Sequence, residues 1–206
     1  MDNQILTPED VVFYKIDDNI FNDCIDNSSL LIKSIIDRND LHERSLLERY
    51  IDILMGEIAE KTVVSWLKNY GKYAEQSQKN INKPDNGYDI VLHDNKGNPK
   101  FCSVKSSLSV KKSTPKDIIE TFQLSSKVSE IQDVNIQVYY WLKTDGGKDE
   151  PRINVPSTTN MAIFGWAGRK DIPTDDTGIY NKEKRETVNL KMTQLRPMYS
   201  LLSYLS

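Results

Sequence analysis

Two short segments between Gly87 and Ser107 bring together residue types that could perform hydrolytic chemistry. Asp89 comes directly before the apolar run Ile-Val-Leu, and Lys105 ends the run Lys-Phe-Cys-Ser-Val-Lys. A carboxylate can bind a hard cation such as Mg²⁺, and a nearby ammonium group can orient a water molecule. The two residues are therefore candidates for the cleavage of phosphodiester bonds.

The same segments predict a β-hairpin that would hold these side chains on one face. The residues between them, 94–99, are rich in turn formers. Alternate residues of a strand point to opposite faces, and four residues of apolar character share one face: Ile90, Leu92, Cys102 and Val104. If that face lies in the core, Asp89 and Lys105 emerge together on the other face, beside Ser103.

A long amphipathic helix is predicted before the hairpin, from about Leu41 to Tyr70, because apolar residues recur there at intervals of three and four. Gly71 is a natural helix stop. Thr7-Pro8-Glu9-Asp10 is typical of a helix start and predicts a shorter helix to about Asp23. Ser28-Ser29 would open another helix. The first 70 or so residues are therefore expected to be mostly helical.

The elements predicted after the hairpin alternate between helix and strand. They are a helix from Lys116 to about Val128, strands at Val134–Leu142, Met161–Trp166 and Thr187–Met192, and a final helix at Met198–Leu205. This order predicts one α/β domain over residues 1–206, with a central mixed β-sheet flanked by helices and an N-terminal helical segment.

Composition excludes several classes of protein and site. The chain has 206 residues, of which 38% are hydrophobic and 28% charged. No apolar run approaches the roughly 18 residues that cross a bilayer. Two cysteines and two histidines are too few for a disulfide framework, a four-cysteine zinc site or a histidine-rich metal site. The N-terminus lacks the pattern of a signal peptide. A reduced, cytoplasmic protein with no membrane contact is expected.

The charge pattern leaves room for local binding of nucleic acid. The net charge of −3 argues against a protein that coats nucleic acid without specificity. However, six lysines and no acidic residue lie between Asn95 and Lys116. The candidate DNA-binding residues are Lys111, Lys112, Lys116, Arg152, Arg169 and Lys170. Segments 144–160 and 168–186 would carry further contacts, and a solvated lysine-rich surface is the alternative interpretation.

Further motifs surround the hairpin. Gly56-Glu57-Ile58-Ala59-Glu60 lies on the long predicted helix, Pro84-Asp85 precedes Asp89, and Ser103-Val104 precedes Lys105. Together they resemble the PD-(D/E)xK nuclease superfamily, which includes restriction endonucleases, Holliday-junction resolvases and phage exonucleases. That family's core is a helix with a glutamate, a hairpin with Asp and (Asp/Glu)-x-Lys, then a helix and a strand. Residues 50 to 142 reproduce this order. The resemblance implies a restriction-endonuclease-like fold.

The resemblance also implies roles for single residues. Asp89 would ligate Mg²⁺ directly, and Glu60 would support the metal directly or through water, with Glu57 and the backbone carbonyl of Ser103 as further candidate ligands. Mn²⁺ could substitute for Mg²⁺. Lys105 would orient the attacking water and offset charge on the phosphate. The implied substrate is double-stranded DNA, and a homodimer would match a palindromic site.

Ser103 departs from the family pattern, which has an acid two residues before the lysine. The candidate replacements are Glu57, Glu60 and Glu120, and Asp85 is a rival to Asp89. The preferred interpretation is a type II restriction endonuclease. The alternatives are a structure-selective, resolvase-like nuclease, a non-catalytic DNA-binding module that retains the fold, and, more weakly, a nuclease acting on RNA.

Overall fold

A computed structural model of the chain describes residues 5–33, 44–79, 87–109, 114–141, 161–173, 179–182 and 185–206. The helices in these ranges are α1 (Asp18–Leu31), α2 (Leu46–Asn69), α3 (Pro115–Thr121) and α4 (Met198–Tyr204). The strands are β1 (Ala74–Gln76), β2 (Ile90–His93), β3 (Pro99–Ser109), β4 (Gln123–Lys127), β5 (Val134–Trp141), β6 (Met161–Gly168), β7 (Ile179–Lys182) and β8 (Arg185–Lys191).

The central sheet has five strands in the order β1-β2-β3-β5-β6. Strand β2 is antiparallel to β1 and β3, β3 is parallel to β5, and β6 is antiparallel to β5. The parallel pair requires a long crossover, which runs through α3 and β4. A smaller antiparallel sheet has the order β4-β8-β7. The predicted α/β class with a mixed central sheet is confirmed.

Both faces of the central sheet are covered by other elements. Helices α1 and α2 pack on one face, where Ile58, Leu67 and Cys102 have no exposed surface. On the other face Tyr139 and Phe164 pack against residues of α3 and the smaller sheet. Burial on both faces explains why β5 is buried at every position before Trp141. Every helix in the described ranges is too short or too polar to cross a membrane.

The N-terminal segment differs from the predicted helix to about Asp23. Pro8–Asp10 forms a single 3₁₀ turn, the chain then leaves the helical conformation, and the α-helix begins only at Asp18. Val12 then runs extended along the edge of β6, where it exchanges two backbone hydrogen bonds of 2.9 Å with Ile163. The sheet edge offers this segment backbone partners, and these replace the hydrogen bonds of a continued helix.

The second predicted helix start is also wrong. Helix α1 begins after Asp17, whose carboxylate accepts a 2.9 Å hydrogen bond from the Ile20 N–H. Ser28 and Ser29 lie inside this helix, and their hydroxyls donate to the carbonyls one turn earlier. The hydroxyl groups of both serines therefore have hydrogen-bond partners within α1, and the serines do not cap a new helix.

Helix α2 is close to its prediction, although residues 41–43 at its predicted start lie outside the described ranges. Ser45 and Glu48 form a reciprocal capping box at its N-terminus. At its C-terminus Gly71 has a φ of +68°, a left-handed conformation that glycine adopts without strain. The helix ends where the sequence predicts.

Three strands in the described ranges were not expected: β1, β4 and β7. No strand was predicted between the long helix and the hairpin, yet β1 pairs with β2 and extends the hairpin sheet by one strand. The helix expected up to Val128 ends at Thr121, because β4 follows and pairs with β8. Leu124 and Ser126 of β4 are buried while their neighbours are exposed or half-buried. A partner strand about 60 residues away overrides the local preference.

Candidate functional site

Two glutamates of α2 form the acidic part of the candidate site. Glu57 and Glu60 lie on one side of the helix because they are three residues apart, and only 2% and 4% of their surfaces are exposed. The Lys79 ammonium group lies between them, 2.5 Å from Glu57 Oε1 and 2.6 Å from Glu60 Oε1. The Gln76 side-chain amide donates to the other two oxygens, at 3.2 and 2.7 Å. Every oxygen of both carboxylates therefore has a donor.

Burial has a strong effect on the ionisation of this cluster. It raises the pKa of Glu60 to about 7, against the attraction of Lys79 and with further repulsion from Asp89 and Glu57. Burial alone would lower the pKa of Lys79, but attraction by Glu60 and Glu57 holds it above its ordinary value. Lys79 is thus a permanent cation, while Glu60 can exchange a proton near neutral pH.

Asp89 lies one residue before β2 and is held by the strands on both sides. Its carbonyl accepts a 2.8 Å hydrogen bond from the Ser77 N–H, and its own N–H donates to the Cys102 carbonyl at 2.9 Å. The Asp89 carboxylate accepts from the Val104 N–H at 2.7 Å and from the Ser103 hydroxyl at 3.3 Å. Because the Asp89 charge also contributes to the raised pKa of Glu60, the two carboxylates belong to one electrostatic cluster.

Lys105 lies two residues beyond Ser103 on β3 and therefore on the same face of the sheet. Its ammonium group is 2.6 Å from Glu130 Oε2, and Lys127 Nζ is 2.6 Å from Glu130 Oε1. Burial would raise the pKa of Glu130, but the two lysines lower it to about 2. The Lys105 side chain, 25% exposed, therefore points to the turn at Val128–Glu130.

A row of buried polar side chains continues this face onto β5. Asn135 and Gln137 are the register partners of Ser103 and Lys105, and their exposed fractions are 0% and 1%. The Gln137 amide donates to the Ser107 hydroxyl at 3.3 Å and to the Val138 carbonyl at 2.9 Å. The surroundings of Lys105 are thus polar and rigidly hydrogen-bonded.

A cleft of about 560 Å³ lies beside the glutamate pair, between α1, α2 and the region of β1. Glu57, Lys61, Gln76 and Lys79 are among the residues that line it. The cleft reaches the glutamate pair at Glu57, whereas Glu60 and Asp89 are not among its lining residues.

The structure therefore brings Glu57 and Glu60 together, places Ser103 against Asp89 and lets the Asp89 charge act on Glu60, while the Lys105 ammonium group has a carboxylate partner on another element. Three participants were missed from the sequence: Gln76, Lys79 and Glu130. Gln76 and Lys79 lie between the predicted helix and the predicted hairpin, in a stretch without a recognisable motif. Glu130 had one local signal, its position three residues after Lys127, which is a common spacing for ion pairs.

The remaining candidates are scattered or fall outside the described ranges. Lys116 is exposed on α3, where its ammonium group is 3.9 Å from Glu120, itself 59% exposed. Arg169 donates a 3.4 Å hydrogen bond to the Ile131 carbonyl, and Lys170 is exposed in the next position. Three candidate DNA contacts and the rival acid lie outside the described residues: Lys111, Lys112, Arg152 and Asp85.

The carboxylate oxygens of the site are of the kind that a hard divalent cation such as Mg²⁺ binds. Glu60 and Asp89 supply carboxylate oxygens, and the pKa of Glu60 is raised first by burial and then by repulsion from Asp89 and Glu57, which Lys79 does not fully offset. In the described ranges no three His, Cys, Asp or Glu side chains are grouped closely enough to hold a metal ion. Mg²⁺ needs only one or two protein carboxylates when water and substrate phosphate complete its shell.

No family model, no curated protein and no solved structure matches the chain. The contacts around Glu60, Asp89 and Lys105 are therefore the basis on which a function can be inferred.

Proposed function

We propose that the chain is a Mg²⁺-dependent DNA endonuclease with a restriction-endonuclease-like fold, most simply a type II restriction endonuclease. The observation that carries the proposal is the order and pairing of its elements. A helix with Glu60 precedes a three-strand meander with Asp89 and Lys105, and α3 leads to β5, parallel to β3. This order is compatible with the core that the PD-(D/E)xK resemblance implies, with β1 and β4 in addition.

The contacts of Asp89 support its assignment as the main metal ligand. The Val104 N–H and the Ser103 hydroxyl hold one carboxylate oxygen, so the carboxylate is oriented before any ligand binds. Glu60 would support the metal from the helix side. When bound, Mg²⁺ would lower the pKa of a water ligand and stabilise negative charge on the phosphate. Lys105 would donate hydrogen bonds to the attacking water or to a phosphate oxygen.

The proposed substrate is double-stranded DNA, and the proposed assembly is a homodimer. One such site cuts one strand, so a two-fold dimer would cut both strands of a palindromic sequence. Sedimentation of the purified protein with and without DNA would measure the assembly state, and a strict monomer in both conditions would contradict the dimer.

The proposed function is tested by plasmid cleavage with Mg²⁺ or Mn²⁺, beside Asp89→Asn and Lys105→Met. Both variants should lose about 100-fold or more of the cleavage rate, as expected when a group that acts on the reacting atoms is removed. Lys100→Met is the matched control, because Lys100 lies on the same strand but on the opposite face by alternation. Circular dichroism should show that all three variants are folded.

The results separate the proposed function from its rivals. Discrete fragments that both substitutions abolish support a restriction enzyme, and cleavage confined to branched DNA supports a resolvase-like nuclease. Binding of DNA with no metal-dependent cleavage of DNA or RNA would overturn the proposed enzymatic function. Two features favour a non-catalytic DNA-binding module as the second candidate. Ser103 stands where the family pattern has an acid, and the Lys79 ammonium group lies between the two glutamates.

A further inference from the structure

We propose that Glu130 is a positioning residue for Lys105. The family pattern has a carboxylate two residues before the lysine, where this chain has Ser103. Glu130 supplies Lys105 with a carboxylate partner from a different element. This inference rests on the proposed nuclease function, in which Lys105 acts on water or phosphate. It concerns Glu130 alone, a residue that lies outside the helix and hairpin carrying the resemblance.

The contacts of Glu130 are those of a clamp. Its two oxygens are each 2.6 Å from an ammonium group, Lys105 on one side and Lys127 on the other. All three side chains are partly buried, with 19 to 30% of their surfaces exposed. A carboxylate held between two lysines in this way is fixed at both ends and restricts the flexible four-carbon stem of Lys105.

The position of Glu130 in the fold makes the clamp rigid. It ends a short turn, Val128–Glu130, that connects β4 directly to the approach to β5. β4 is paired with β8, and β5 is paired with β3, the strand that carries Lys105. The carboxylate and the lysine are therefore attached to two strands whose separation is fixed by the sheets.

The clamp leaves Lys105 able to act. An ammonium group has three N–H donors, and the bond to Glu130 uses one of them. Two donors remain for a water molecule or a phosphate oxygen. Both Glu130 oxygens already accept from lysines, which makes Glu130 a poor metal ligand in this arrangement and distinguishes its role from that of Asp89.

The test is Glu130→Gln, which keeps the size of the side chain and removes its charge. Steady-state kinetics on plasmid DNA should show kcat reduced about 10- to 100-fold, the scale of a misplaced reacting group, with KM changed little. Glu9→Gln is the matched control, since Glu9 is an exposed glutamate of another 3₁₀ turn, Pro8–Asp10, and it should leave both constants unchanged.

A second measurement does not depend on catalysis. In protein labelled with ¹⁵N-lysine, the ammonium signal of Lys105 should be protected from solvent exchange in the wild type and lost in Glu130→Gln. Unchanged kcat, or an unchanged Lys105 signal, in a folded Glu130→Gln variant would overturn the inference while leaving the nuclease intact. A wild type that cleaves nothing would overturn the proposed function and this role with it.

Discussion

Ser103 is the residue at which the site departs most from a metal centre with two hairpin acids. It is 2% exposed, and its hydroxyl lies 3.3 Å from the Asp89 carboxylate. A glutamate at this position would bring a further negative charge against Asp89. Without a divalent cation, Ser103→Glu should therefore lower the free energy of unfolding by about 2 kcal/mol. With Mg²⁺ at about 100 times its dissociation constant, binding should restore about 2.7 kcal/mol.

Thermal unfolding in EDTA and in Mg²⁺ would measure both effects. Ser103→Gln is the control for the added volume, because it inserts a side chain of the same size without charge. If the melting temperatures of the Glu and Gln variants respond equally to Mg²⁺, the carboxylate at this position does not contribute to a metal site.

Lys79 balances the charge of two buried glutamates, so its replacement should lower the free energy of unfolding. Lys79→Met leaves Glu57 and Glu60 facing each other without a cation, and breaking a buried pair in this way costs several kcal/mol. Because 35% of the Lys79 side chain is exposed, solvent screening reduces the expected loss to about 2 kcal/mol at pH 8.

The double variant Lys79→Met/Glu60→Gln should recover part of that stability, since it removes one of the two unpaired charges. Urea unfolding of the single and double variants at pH 8 would measure the difference. A double variant that is no more stable than the single one would show that the loss comes from packing of the lysine stem and not from charge.

At the scale of elements, local patterns explain which parts of the fold could be predicted. The periodicity of α2 and the alternation of the β2–β3 hairpin are properties of consecutive residues, so both elements were found. β1 has only three residues and β4 depends on pairing with β8, so neither has a local signal strong enough to identify it. Lys79 and Glu130 were missed for the same reason, because their partners are 19 to 25 residues away.

Helix α2 carries both glutamates and contains a glycine that offers a test of the element itself. A Cβ added at Gly56 would meet no atom within 4 Å, so Gly56→Ala should stabilise the chain by about 0.5–1 kcal/mol through the lower entropy of the unfolded helix segment. In β6 the same substitution should have the opposite effect, since a Cβ at Gly165 would lie 2.7 Å from the Arg196 carbonyl oxygen.

Gly165→Ala should therefore lower the free energy of unfolding by about 2 kcal/mol, because the added methyl group forces the backbone of β6 away from that of Arg196. The denaturant midpoint should be higher than that of the wild type for Gly56→Ala and lower for Gly165→Ala. A destabilised Gly56→Ala variant would contradict the open space that the structure leaves beside α2.

At the scale of the whole molecule, β5 joins the two hydrophobic clusters. Ile136 and Val138 contribute to the cluster under α2, whereas Tyr139 contributes to the cluster on the opposite face. The strand also carries the register partners of Ser103 and Lys105. Loss of packing on either face therefore disturbs the strand that supports the site, and a change of charge in the site should be measurable as a change in global stability.

The pH dependence of unfolding should then reflect two glutamates with opposite shifts. The folded pKa of Glu60 is about 7, above its ordinary value of 4.5, so its contribution is complete below pH 4.5 and is lost as the pH rises through 7. The folded pKa of Glu130 is about 2, so its contribution is present above pH 4.5 and is lost as the pH falls through 2. These two groups together favour maximal stability near pH 4.5.

Urea unfolding between pH 3 and 9 would test this, with Glu60→Gln and Glu130→Gln as the variants. Glu60→Gln should remove a decline on the order of 3 kcal/mol between pH 4.5 and 9, while leaving the acid limb of the curve unchanged. Glu130→Gln should flatten the acid limb alone. If the Glu60→Gln curve runs parallel to the wild type above pH 5, the pKa of Glu60 is not raised in the folded protein, and Lys79 fully offsets the effect of burial on this carboxylate.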